Sequence, residues 1–128
     1  MLNRSGIAKS TFAATKQILA NVENQVSVGC IVPQSLGVTV GSKKIAKAGT
    51  PIKVDLMNTN TAVTKADGTT KMNAVLLHDV DVTAGNANGT ALIFGFVNVN
   101  RVDSDVATAI TTAAAAEGRS ALITFVKL

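Results

Sequence analysis

Residues 74–102 read AVLLHDVDVTAGNANGTALIFGFVNVNRV, two apolar runs rich in Val, Ile and Phe on either side of a small, polar centre. The Ala-Gly-Asn-Ala-Asn-Gly core of Thr83–Thr90 supplies residues that tolerate the backbone angles of a reversal, so the passage predicts a β-hairpin. In the first run, strand alternation places Leu76, His78, Val80 and Val82 on one face. Val75, Leu77, Asp79 and Asp81 fall on the other, which starts apolar and ends charged. In the second run Leu92, Phe94 and Phe96 share one face, and Ala91, Ile93, Gly95, Val97 and Val99 the other. Both faces of that second strand begin apolar, which predicts cover on two sides, by this chain or by a neighbour. Leu92, Phe94 and Phe96 are therefore the expected core, leaving Val97 and Val99 as candidate subunit contacts.

The 128 residues suffice for one domain with a true core and fall short of two ordinary ones. The apolar mass is aliphatic: there are four Phe, no Tyr and no Trp. That scarcity of flat rings argues against a platform for sugars or single-stranded nucleic acid. Charge is unevenly spread. Residues 1–47 hold Arg4, Lys9, Lys16, Lys43, Lys44 and Lys47 against Glu23 alone, whereas the remainder is nearly neutral. A basic leader on a neutral body predicts an acidic partner surface, although nucleic acid would meet the same electrostatic demand. Cys30 is the single cysteine, which excludes an intrachain disulfide and reads as a small buried apolar residue. No apolar run reaches the roughly 20 residues of a membrane span. Lys9, Ser10, Thr11 and Lys16 break up what would have to be the apolar centre of a secretory signal, which predicts synthesis in the cytoplasm.

Outside the central passage, Ile7, Ala8, Phe12, Ala14, Ile18, Leu19 and Val22 approximate a helical stripe, predicting a short helix at about 7–22. Residues 24–51 alternate Val/Ile pairs with Gly29, Pro33 and Gly37. They read as an extended arm able to complete a neighbour's sheet, with Val26, Val28, Val38 and Val40 at strand spacing. The compact body is expected at 48–128, after an arm of 1–47. Ala48-Gly49-Thr50-Pro51 is a turn leading into Ile52, Val54 and Leu56, and Asp67-Gly68 is a second turn signal. Asp103-Ser104-Asp105 opens a helix with the buried stripe Val106, Ile110 and Ala113, running to about Glu117 with Gly118 as its stop. Ser120–Leu128 closes the chain as a strand tied into the sheet.

Chemistry finds little purchase. His78 with Asp79 and Asp81 is the one suggestive cluster. Neighbouring strand residues face opposite ways, however, and a second imidazole or thiolate is lacking, so His78 is expected to pack rather than ligate or catalyse. Gly41-Ser42-Lys43-Lys44 lacks the upstream glycine and the strand-to-helix setting of a phosphate loop. With one His and no Gly-x-Ser-x-Gly elbow, no nucleophile, base and orienting acid form a set. No catalytic residue, cofactor or metal is expected.

The fold class is thus α+β, a small β-rich domain with one helix in its C-terminal half, preceded by an extended N-terminal arm. In this order of elements the chain from about Gly37 to Leu128 resembles bacteriophage capsid decoration proteins and phage head-fibre proteins, and more loosely the lambda-type head decoration proteins. The resemblance rests on Ala48-Gly49-Thr50-Pro51-Ile52, Asp67-Gly68-Thr69-Thr70, the strand Ala74–Val82 with its Gly/Asn loop, Leu92-Ile93-Phe94-Gly95-Phe96-Val97 and Leu122-Ile123-Thr124-Phe125. It implies a β-tulip or barrel-like body on the outside of a virion head, a homotrimer clamping neighbouring major capsid subunits. It also implies a preceding segment that adds a strand to the capsid surface. Here that would place Val26, Val28, Val38 and Val40 on capsid backbone and Lys43, Lys44 and Lys47 near acidic capsid groups. A different class, a virion-surface fibre base or adhesin for host-surface glycans, would use the loops at 58–70 and 83–90. Neither nucleic acid nor membrane is an expected partner.

Overall fold

A computed structural model describes residues 17–20, 25–67, 69–115 and 122–128. They form a β-rich α+β domain. Its strands are β1 (Val26–Val32), β2 (Val38–Val40), β3 (Lys43–Ala46), β4 (Pro51–Lys53), β5 (Thr64–Lys65), β6 (Ala74–Leu76), β7 (Val80–Asp81), β8 (Ala87–Asn98) and β9 (Leu122–Val126), with one α-helix, α1 (Ser104–Ala115). The main sheet runs β1-β8-β6-β4-β5, with β9 also on β8, and a smaller sheet runs β2-β3-β7. Every pairing between these strands is antiparallel except β8 with β9. The outermost members of the main sheet approach each other at one point, where Ile31 bridges Ala62 and the Val63 N–H donates to the Ile31 carbonyl at 2.9 Å.

β8 is the axis because its apolar residues are served from both sides. Ala91 pairs with Val28 and Leu76, Leu92 with Ser27 and Val75, and Val97 with Phe125 and the isolated Leu19. The sheet therefore has two buried faces, as the doubly apolar start of β8 predicts. On one face Cys30, Val32, Ile52, Leu76 and Ala91 pack against Ala46, Val80 and Val82 at the smaller sheet. The layers approach so closely there that a Cβ on Gly89 would lie 3.1 Å from Val80 Cγ2 of the smaller sheet, as well as 2.7 Å from Val32 Cγ2 on the neighbouring β1. On the other face Val75, Leu77, Leu92 and Val97 pack with Ile18, Met72, Ile123 and Ala113 of α1. The predicted helical stripe is seen directly, since Val106, Ile110 and Ala113 are all buried. The closing strand is likewise in the sheet, and the expected helix end at Glu117–Gly118 lies outside the described residues.

Three expectations need correction. First, the hairpin's leading strand is interrupted. Ala74–Leu76 pair with β8 and the Leu77 N–H still donates to the Thr90 carbonyl at 2.9 Å, but Val80–Asp81 then cross to pair with β3 in the other sheet. Second, residues 26–47 are built into the domain instead of standing off as an arm. β1 pairs with β8 along its whole length and contributes Cys30 and Val32 to the core, while β3 pairs with β7, so no boundary separates the chain at residue 48. Third, of the helix expected at 7–22 only 17–20 are described, and these are not helical. The Ala20 N–H donates to the Phe96 carbonyl at 2.9 Å, and the Asn98 N–H to that of Ile18 at 2.8 Å. Those bonds satisfy the backbone while Ile18 and Leu19 both enter the core.

Candidate interaction surfaces

The register of β1 on β8 contains the decisive irregularity. Val26 is opposite Phe94 but Ser27 is opposite Leu92, so Ile93 is an extra residue in β8, a β-bulge. A strand's faces alternate residue by residue, and one inserted residue exchanges them for everything beyond it. Leu92 and Val97 consequently share one buried cluster although their sequence parity differs, and Phe94 and Phe96 turn outward. The expected roles are therefore exchanged: Val97, proposed as a subunit contact, is fully buried, and the presumed core residues Phe94 and Phe96 are exposed. Val99 lies in a single 3-10 turn, Val99–Arg101, and is half-buried.

Across the sheet from Phe94 lie Val26 on one side and Leu122 on the other, both exposed. Together with Ile93, Leu56 and Asn73 they line an apolar depression of about 430 Å³. Asn73 is already committed: its amide donates to the Val54 carbonyl and its Oδ1 accepts from the Val54 N–H, both at 2.8 Å. This is the first candidate surface.

A second lies on the smaller sheet. β2 is its terminal strand, joined to β3 by the two-residue reversal Gly41-Ser42, with Gly41 at φ 63° as such a turn requires. Val38 and Val40 are exposed on β2, on the face they share with Ile45 and Lys43, and Lys44, opposite Thr39, is exposed on the other face of the pair. Thr83 holds the far side of β3, its hydroxyl oxygen accepting from the Lys44 N–H at 2.8 Å. Hydrogen bonds from Thr83 pull the Asp81 carboxyl below the usual carboxylate range, with a smaller contribution from Lys43.

The other residues expected on the capsid-binding arm are placed differently. Val28 is half-buried against the core beneath β1. Lys47 meets acids of its own chain, its Nζ lying 3.2 Å from Asp103 and 3.2 Å from Asp105 at the start of α1. Hydrogen bonds to Asp103 and then Asp105 raise its pKa above the ordinary lysine value. The sequence offered no signal for this pairing, which depends on the turn at Ala48-Gly49 bringing β3 beside the helix start.

His78, Asp79 and Asp81 do not converge. Asp79 accepts from the Ala48 N–H at 2.7 Å and Asp81 from the Thr83 N–H at 2.9 Å, so each aspartate fastens a turn, while the His78 Nδ1 is buried without a hydrogen-bond partner. Among the described residues no three His, Cys, Asp or Glu side chains are grouped to hold a metal ion, and no helix is long and apolar enough to cross a membrane. Thr59 and Asn60 from one glycan-candidate loop and Asn88 and Gly89 from the other do meet, around an open depression of about 450 Å³ floored by Gly29 and Cys30. No protein-family model matches the chain, and no curated protein does either.

Proposed function

We propose that this is a structural virion protein, a homotrimer that decorates the outer surface of a phage head and cements adjacent major capsid subunits. The observation that carries the reading is the β2 edge: a terminal strand whose two valines face solvent beside Lys43, with Lys44 on the other face of the same hairpin. An edge strand offers free backbone groups for an added strand, and exposed β-branched residues give that strand side chains to pack on. Two lysines alongside favour an acidic segment, so the partner is an extended acidic stretch of the major capsid protein. Val38, Val40, Lys43 and Lys44 remain in the proposed contact; Val28 and Lys47 leave it because the domain itself uses them. The contact of Ile31 with Ala62–Val63 fits the tulip-like body that the resemblance implies. The weak affinity of one short strand is multiplied when several copies, linked to each other, engage a repeating shell.

The test is occupancy on purified heads that lack the protein. Wild type should saturate them, and Val38→Asp/Val40→Asp should cut bound copies at least tenfold while the domain still melts normally. Failure of the wild-type chain to bind heads would remove the reading. One observation favours a fibre base or adhesin instead, the meeting of the two loops around Asn60 and Asn88. Glycan binding by the isolated protein, abolished by Asn60→Ala/Asn88→Ala and without affinity for heads, would select that alternative.

A further inference from the structure

We infer that copies of this chain meet each other through the face that the bulge at Ile93 turns outward. This draws on the reading above only in that copies associate. The row Val26, Phe94, Leu122 spans three neighbouring strands, with Leu56 beside it and Phe96 next along β8. Fractional exposures are 49, 41 and 69 % for the row, 48 % for Leu56 and 36 % for Phe96. At roughly 150–200 Å² for a large apolar residue, these five present about 450 Å² of apolar surface. A standard interface buries about 800 Å² per partner, of which roughly 55–65 % is apolar. The face thus carries the apolar area that one side of such an interface needs.

The chemistry of the face selects the occupant. None of the residues lining its depression is charged, and its one polar side chain, Asn73, is satisfied at both ends by Val54. It has no means of attracting an acidic or basic partner and no open demand for a polar ligand. A surface depleted in charge and rich in Phe and Leu resembles the central part of a subunit interface, and another copy supplies the same apolar complement. The β2 edge belongs to the other sheet, and none of its residues lines the depression.

The experiment measures the mass of the full chain by sedimentation velocity between about 1 and 100 µM. Wild type should sediment as a discrete multiple of the 13.1 kDa chain. Phe94→Asp and, separately, Leu122→Asp should require at least tenfold more protein to associate. Val40→Asp should associate over the same concentration range as wild type, and thermal melts establish that each variant is folded. If Phe94→Asp does not fold, Leu122→Asp decides, because its residue is the more exposed. A wild type that remains a single chain at 100 µM, or a folded Leu122→Asp that associates undiminished, overturns the inference. Heads decorated normally by an unaffected oligomer would locate the failure in this face alone, and a mass that falls as expected for a protein that ignores heads would locate it in the capsid reading.

Discussion

Leu92→Ala and Phe94→Ala should destabilise the domain in the reverse of the order their sizes suggest. Leu92 is fully buried among Val75, Val97, Ile123 and Met72. Removing three carbons forfeits about 2.4 kcal/mol of transfer free energy at roughly 0.8 kcal/mol each. An unrelaxed cavity adds about 1–2 kcal/mol, for a total near 4 kcal/mol. Phe94 loses more atoms, but two-fifths of its surface already faces solvent and the space it vacates opens to water, so no cavity term arises. At about 25 cal/mol per Å² of lost burial its truncation costs no more than about 2 kcal/mol. Urea unfolding at low micromolar protein in the Leu122→Asp background, where association is weakened, gives both values. The signal has to be far-UV circular dichroism, since the chain contains neither Trp nor Tyr. A Phe94→Ala loss equal to or greater than that of Leu92→Ala would mean that β8 keeps simple alternation past Ile93, and the assignment of its two faces would fall.

Other outcomes follow from single sites. Gly49 has φ 91°, and a Cβ there would stand 2.6 Å from Val102 Cγ1 and 3.2 Å from Val106 Cγ1; Gly49→Ala should therefore cost about 2–4 kcal/mol in thermal unfolding, from backbone strain and overpacking together. Cys30 is buried and burial raises its thiol pKa, so modification by an aromatic disulfide reagent should proceed only after denaturation, and prompt reaction in the native protein would contradict its placement. Backbone hydrogen bonds from Thr70 and then Thr69 lower the Asp67 pKa, and Thr83 lowers that of Asp81. Each depressed carboxyl contributes stability that is present above its unfolded-state pKa and lost as pH falls through the lower folded-state value. Carbon-detected titration should place both midpoints below those of the unfolded chain, and midpoints at or above them would refute the turns.

What the sequence disclosed was whatever depends on near neighbours. Val106, Ile110 and Ala113 repeat at helical spacing, and a helix keeps that spacing whatever it packs on; the closing strand at Leu122–Val126 and the antiparallel pairing of the run from Ala74 with the run from Ala91, though not its register, were legible for similar reasons. What it concealed depends on distant partners. The bulge at Ile93 is defined by which residues of β1 stand opposite it, and nothing within LIFGF shows that the parity changes there. Val26–Val32 looked like a free arm because its Gly and its alternating valines suit a donated strand and an edge strand equally; the core cluster around Cys30 and Val32 separates the two. Lys47 similarly looked available until the fold brought Asp103 and Asp105 beside it.

The far half of β8 is clasped between Leu19, near the start of the chain, and Phe125, near its finish. During synthesis the main sheet must therefore wait for Leu122–Val126 to emerge before its longest strand has both flanks, and contacts so distant in sequence make for slow closure, on the order of milliseconds to seconds. A nascent chain stalled before Leu122 should remain sensitive to protease, and its aliphatic strands would need shelter until β9 has been made.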